Sequence, residues 1–199
     1  MLISTAALLL LTPIQAQAID TAYARQVRAE TTDERFLPVN VATLPHHPSV
    51  PSPLDHFGVI AGAPGVAHTT TELYGYYRAL AAASPRVSVE TVGRSEGGRD
   101  ILLLVIADDA TISNIEQYKA DVAALADPRT VDRAEMERIV ARAKPIYNLQ
   151  AGQHSPEMGP PEMVPELEQE MGIPEPPSVQ IPNHLTRESS RRHSRIMPR

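Results

Sequence analysis

The sequence predicts an α/β fold in which helices flank a mixed β-sheet. Apolar residues follow helical spacing over 69–83, strand-like alternation leads into an apolar run over 87–107, and a short apolar stretch lies at 146–149. Strands that alternate with helices are typical of crossover connections, which place neighbouring strands parallel. The length of 199 residues is close to that of a single domain.

The first predicted helix begins at a capping box. Thr69 and Glu72 have the spacing at which each side chain binds the backbone N–H of the other residue. Apolar residues then recur at helical spacing as far as Ser84 and Pro85, a pair that favours the end of a helix. We therefore expect a helix over 69–83.

A β-hairpin is expected after this helix. Val87, Val89 and Thr91 alternate with polar residues, which is the period of a strand with one buried face. The glycine-rich segment 93–98 favours a turn, and the run 101–107 is continuously apolar. A continuous run of this kind predicts an inner strand that is buried on both faces.

Two further helices and a third strand are expected next. A cap at Asn114 predicts one helix, and a cap at Asp132 predicts another that ends before Pro145. The stretch 146–149 would then be a strand, which puts His154 just beyond its carboxyl end. Sites in open α/β sheets form at that position.

The two ends of the chain have the composition of irregular segments. Prolines cluster in 19–68 and again after residue 156, so we expect a Pro-rich lead-in over 19–68, a folded domain over 69–170 and a disordered tail over 171–199. The core is expected within 66–155. Pro165 should disrupt any helix that contains it, at about 3 kcal/mol.

The first 18 residues have the pattern of a secretory signal peptide. An apolar run over 6–11 is followed by Pro13 and by the cleavage pattern Ala16-Gln17-Ala18. The run is too short to span a bilayer core, which needs about 20 residues. We expect a secreted or periplasmic protein with no stable membrane association after cleavage.

Charge and cysteine content narrow the classes of partner. The net charge of −6 argues against a nucleic acid as partner, because phosphate binding requires clustered Lys and Arg. With no cysteine, neither a disulfide framework nor a thiolate metal site can form. A metal would have to be bound by histidines and carboxylates.

His154 and Glu157 are the candidate metal ligands. At this spacing an imidazole nitrogen and a carboxylate oxygen can turn toward one zinc ion at about 2.0–2.2 Å. A short motif of this kind also arises by chance. The neighbouring pair His46 and His47 lies among prolines and is interpreted as solvated loop residues, outside the site.

Longer strings around the pair resemble the zinc carboxypeptidase family, the carboxypeptidase A-like exopeptidases. One block reads Lys144-Pro145-Ile146-Tyr147, Gly152, His154-Ser155-Pro156-Glu157, Gly159 and Pro161-Glu162-Met163. A second block, over 84–87 and 92–101, is similar to the early hairpin of the family. The resemblance covers about 66–164.

This resemblance implies a partial carboxypeptidase fold in which His154 and Glu157 bind Zn²⁺. It also implies a secreted hydrolase, a metallopeptidase whose substrates are the C-termini of peptides or proteins. Family members take a third ligand, a substrate-binding Arg, a covering Tyr and a general-base Glu from positions further along the chain. His184 and His193 lie in the irregular tail, and Arg94 and Arg99 flank a hairpin turn, so no catalytic residue is assigned.

Three functional interpretations remain open from the sequence. The first is a metallocarboxypeptidase that is incomplete and inactive as this chain, with its tail produced by loss of the coding frame after about residues 163–170 or present as a natural disordered end. The second is a non-catalytic secreted binding module. The third is a polypeptide that does not fold stably, because a partial sheet exposes its edges.

Export should remove the first 18 residues, so that the mature chain begins at Ile19. Mass spectrometry of protein recovered from the medium or the periplasm measures the new N-terminus. Soluble cytoplasmic protein that retains Met1 would contradict the signal peptide.

Overall fold

A computed structural model describes residues 18–37, 44–154 and 156–173. Residues 1–17 of the predicted signal peptide and the predicted tail from 174 onward lie outside this part. Within it the α/β class is confirmed: seven α-helices accompany one two-stranded antiparallel sheet. The helices are α1 (Thr21–Glu30), α2 (Pro53–Phe57), α3 (Thr70–Ala83), α4 (Asp109–Ser113), α5 (Ile115–Ala126), α6 (Arg133–Arg142) and α7 (Gly159–Gly172), and the strands are β1 (Val87–Arg94) and β2 (Asp100–Ile106).

Helix α3 forms as its capping box predicts. The Thr69 hydroxyl accepts from the Glu72 N–H at 3.3 Å, and the Glu72 carboxylate accepts from the Thr69 N–H at 2.7 Å. The bonds that the Glu72 carboxylate accepts from the Thr69 N–H and from the Thr69 hydroxyl lower the pKa of Glu72. Leu73, Tyr76 and Leu80 are the buried stripe, with Tyr76 and Leu80 fully enclosed.

The predicted hairpin is confirmed, but its second strand is not an inner strand. Val87 pairs with Ile106 at one end of the ladder, and a bulge lies between Thr91 and Gly93. Ile101 and Leu103 are 46% and 42% exposed, because no described element covers that face of β2. The prediction of burial on both faces was therefore wrong.

Helices α5 and α6 are found where the sequence placed them. Asp132 caps α6 through the Glu135 N–H at 2.8 Å, as expected. Asn114 does not cap α5 with its side chain, because its amide donates instead to the Ala110 carbonyl of the short helix α4 at 2.7 Å. The helix was predicted correctly, but the mechanism of its cap was not.

The third strand, expected at 146–149, is absent from the described structure. Ile146 and Tyr147 are 66% and 75% exposed, and the segment pairs with neither β1 nor β2. A strand is stable only when its backbone groups find a partner. The described sheet thus contains one antiparallel pair and no parallel pair.

The segment expected to be a Pro-rich lead-in contributes helices α1 and α2 and part of the core. Asp20 caps α1 by accepting from the Tyr23 N–H at 2.9 Å. Buried side chains from this segment form a second apolar cluster, so the core is not confined to 66–155: Tyr23, Val27, Leu44 and Ile60. The first cluster contains Val50, Tyr76, Leu80, Val87 and Ile173.

Helix α7 corrects the expectation that Pro165 would disrupt a helix. Pro165 lies inside α7 and is almost fully buried, and the helix continues to Gly172. Proline removes one intrahelical hydrogen bond, but burial of one helix face offsets that cost. Ile173, the next residue, is completely buried in the first cluster.

Helix α7 is tied to distant segments by polar side chains. Tyr23 donates its hydroxyl hydrogen to Glu166 at 2.5 Å, and Gln169 donates its amide to the Pro45 carbonyl at 3.1 Å. Ser84 donates its hydroxyl to the Gly172 carbonyl. In the part of the chain that the structure describes, no helix is both long and apolar enough to cross a membrane.

Glu168 is the least satisfied of the buried carboxyls. The residue is 7% exposed, and its Oε2 atom has no hydrogen-bond partner among the described residues. Desolvation raises the pKa of Glu168 to about 8. Burial also raises the pKa of Tyr76 and of Tyr77, and the nearby Glu168 charge adds to both shifts.

Glu168 should make stability fall as pH rises. In the unfolded chain the carboxyl loses its proton near its ordinary pKa of 4.5, whereas the folded protein holds that proton up to about pH 8. The contribution of Glu168 to the free energy of unfolding is therefore largest below about pH 4.5. It falls progressively toward pH 8, by up to about 1.4 kcal/mol per pH unit. Urea unfolding across this range measures the slope.

The variant Glu168→Gln keeps the shape of the side chain and removes its proton equilibrium. Between pH 5 and pH 8, the free energy of unfolding should change less steeply with pH in Glu168→Gln than in the unchanged protein. The difference should be up to about 1.4 kcal/mol per pH unit, which corresponds to one bound proton. Glu96→Gln, on the exposed hairpin turn, is the matched control and should leave the slope unchanged. Equal slopes in all three proteins would refute the assignment.

Candidate metal centre

The candidate ligands lie on the connection between α6 and α7. This connection is anchored at its start by Lys144, whose ammonium donates to Asp108 at 2.5 Å and to the Thr111 hydroxyl at 2.6 Å. The bond from Lys144 lowers the pKa of Asp108 to about 2. Tyr118 adds a hydrogen bond from its hydroxyl to the Lys144 carbonyl at 2.5 Å. The start of the connection is thereby held against α4 and α5.

Gly152 brings the other end of the connection against α7. Its φ of 69° lies in the left-handed region, and a Cβ atom there would lie 2.6 Å from Cγ of Pro161. Real Cβ atoms do not approach other atoms so closely, so this contact requires glycine. The residues that follow Gly152 are consequently placed beside the first turn of α7.

His154 and Glu157 meet in a compact turn. The Nδ1 atom of His154 lies 2.6 Å from Oε1 of Glu157, and the His154 N–H donates to the other carboxylate oxygen at 3.1 Å. The Glu157 N–H donates in return to the His154 carbonyl at 3.0 Å. The hydrogen bond from the His154 side chain, followed by that from its backbone, lowers the pKa of Glu157. The two side chains therefore converge, as their spacing predicts.

His154 and Glu157 are exposed to solvent, and no third candidate ligand joins them among the described residues. The side chain of His154 is 66% exposed and that of Glu157 is 42% exposed. Within the described residues no group of three or more His, Asp or Glu side chains could hold a metal ion. Catalytic zinc sites take three protein ligands and a water, so His154 and Glu157 fit two of these positions. The assignment of zinc to them remains a prediction.

The other residues considered from the sequence as ligands or substrate-binding groups either have different partners or lie outside the described residues. His47 is engaged with the Ser49 hydroxyl at 3.0 Å on an exposed turn. Arg94 pairs with Asp100 at 3.4 Å, which agrees with a structural role at the hairpin turn. His184 and His193 lie beyond the described residues.

The sequence did not reveal a buried contact between His68 and Glu162. One oxygen of Glu162 accepts from the His68 N–H at 2.6 Å, and the other lies 2.7 Å from His68 Nδ1. Both side chains are about nine-tenths buried, at 10% and 8% exposure. The ring of Phe57 lies against the imidazole, with 4.1 Å between centroids. Because 94 positions separate the partners, local spacing carries no signal of this contact.

Comparison with known proteins yields no match: no protein family, no curated protein and no solved structure matches the chain. The resemblance to zinc carboxypeptidases therefore remains a prediction from the sequence strings around His154.

The variant Gly152→Ala should destabilise the protein more than Gly62→Ala. Both glycines have positive φ, at 69° and 70°, so alanine at either position costs about 1–2 kcal/mol of backbone strain. At Gly152 the added Cβ also meets Pro161, whereas nothing lies within 4 Å at Gly62. Urea unfolding gives both free energies. Equal losses would show that the loop does not pack against α7 as described.

Proposed function

We propose that this chain is a secreted or periplasmic member of the zinc carboxypeptidase class that does not turn over substrate by itself. One observation carries the proposal: His154 and Glu157 converge, with 2.6 Å between Nδ1 and Oε1, within the longer string that resembles the family. Replacing this mutual contact with a shared metal ion requires only small movements of two exposed side chains.

The two residues would hold Zn²⁺ and supply part of a hydrolytic site. Bound zinc polarises a substrate carbonyl and lowers the pKa of a water molecule, which is the chemistry of metallopeptidases. In the proposed role, the substrates are the C-termini of peptides or proteins. The exposure of His154 and Glu157 favours a weak site, because electrostatic contacts are strongest where water is excluded.

The proposed lack of turnover follows from the parts that the pair does not provide. Hydrolysis also needs a positioned proton acceptor, typically worth about 10²–10⁴-fold in rate, and a fixed substrate. In this proposal Glu157 would bind the metal ion together with His154, so its carboxylate would not be free to serve as that acceptor.

A second proposal is a non-catalytic binding module, and the hairpin favours it. Val92, Ile101 and Leu103 are 56%, 46% and 42% exposed on the two-stranded sheet. Exposed apolar surface and open strand edges are features through which other chains are bound. This function needs no metal, so a zinc titration separates it from the first proposal.

Zinc binding to the full chain, measured by competition with a chromophoric chelator, tests the first proposal. We expect a dissociation constant weaker than about 1 µM, which corresponds to about 8 kcal/mol, against about 10–16 kcal/mol for complete structural sites. His154→Ala should remove this binding, and the matched control His47→Ala should retain it. Release of C-terminal amino acids from a peptide panel should stay at background with excess zinc.

Two results would overturn the proposal in different ways. Zinc binding that survives His154→Ala would mean that the ligands lie elsewhere in the chain. Chelator-sensitive peptide hydrolysis that is lost in Glu157→Ala would mean that the site is complete and catalytic.

A further inference from the structure

The first turn of α7 contains two prolines and has no capping side chain. Met158 occupies the N-cap position and makes no side-chain capping bond. After Gly159 come Pro160 and Pro161, whose missing N–H groups are ones that a first helical turn leaves unbonded in any case. The prolines therefore favour a helix start here, but its position against the rest of the protein depends on contacts with other segments.

Glu162 ties the first turn of α7 to a distant segment. Its carboxylate is held at both oxygens by His68, at 2.6 Å from the backbone N–H and 2.7 Å from Nδ1. His68 lies immediately before the capping box of α3, and Phe57 packs against its ring. Since Phe57 also packs against the first apolar cluster, Glu162 is tied to the core of the protein.

The same turn of α7 supports the candidate metal ligands. Pro161, the neighbour of Glu162, is the residue against which Gly152 packs. Gly152 and Pro161 bracket the turn that carries His154 and Glu157. A displacement of Glu162 would therefore move Pro161, whose contact with Gly152 fixes this turn.

We propose that His68 is a positioning residue for the pair His154 and Glu157, acting through Glu162. The inference deepens the proposed function and rests on it for the zinc measurement. Residues that orient metal ligands from outside the ligand set typically change metal affinity by about 10–100-fold when they are removed.

Three variants of the full chain test this role. His68→Ala removes the side-chain bond to Glu162, and His68→Asn restores a donor near the position of Nδ1 without the imidazole ring. Tyr23→Phe is the matched control, because it removes a bond to Glu166, one turn further along the same helix, together with the bond that the hydroxyl accepts from the Ala61 N–H. A purely structural effect would appear equally in His68→Ala and Tyr23→Phe.

The first measurement is amide hydrogen exchange, in the absence of metal, at the N–H groups of His154 and Glu157. Each of these groups is bonded within the turn. In His68→Ala their exchange should accelerate by about 10-fold or more, the factor that corresponds to losing a charge-assisted hydrogen bond. His68→Asn should recover most of the protection, and Tyr23→Phe should keep it. Unchanged exchange in His68→Ala would overturn the inference.

The second measurement is zinc affinity, which separates this inference from the proposed function. His68→Ala should bind zinc at least about 10-fold more weakly, with recovery in His68→Asn and no change in Tyr23→Phe. If the unchanged protein binds no zinc, the proposed function fails, and the exchange data alone decide the role of His68. If zinc binds and His68→Ala leaves the affinity unchanged, the positioning role is wrong.

Discussion

Burial of helix α7 is the constraint on which the rest of the described structure depends. Its buried face includes carboxyl and amide side chains as well as Val164 and Pro165, and burying a carboxyl or amide group is costly unless it is bonded. Most of them find a partner far away in sequence: Glu162 binds His68, Glu166 binds Tyr23, and Gln169 binds the Pro45 carbonyl. The helix therefore joins the N-terminal segment to the α3 and hairpin layer. A proline within it is tolerated because these contacts hold its position.

The position of the candidate metal centre depends on this helix, because the turn with His154 and Glu157 packs against its first turn. The turn with His154 and Glu157 has few contacts of its own beyond those within the pair, and Gly152 fixes it against Pro161. Its openness to solvent and its two candidate ligands agree with the weak metal binding that we propose. Local hydrogen bonds bring His154 and Glu157 together, whereas the packing of distant segments decides where in the molecule they lie.

The hairpin shows the consequence of a small sheet. Strands β1 and β2 pair with each other except at the bulge between Thr91 and Gly93, but the outer side chains Ile101 and Leu103 remain partly exposed because no further described layer covers them. An isolated two-stranded ribbon is marginally stable in water, so its packing against α3 is needed to hold it. The apolar cluster of Tyr76, Leu80 and Val87 provides that packing.

The sequence by itself determined the features that depend on neighbours a few positions apart. These are the capping boxes and caps at Thr69 and Asp132, the hairpin over 87–106, and the approach of His154 to Glu157 within one turn. In each case the interacting groups are close in the chain, and their spacing alone brings them together. The α/β class follows from these elements.

Only the tertiary structure decided the features that depend on distant partners. Ile146 to Leu149 has the composition of a strand and remains unpaired, whereas α7 forms through Pro165 because one face of it is buried. The contact of His68 with Glu162 spans 94 positions, and neither residue has a local pattern that reveals it. Backbone pairing and burial are properties of the assembled chain, so local spacing cannot specify which segments receive them.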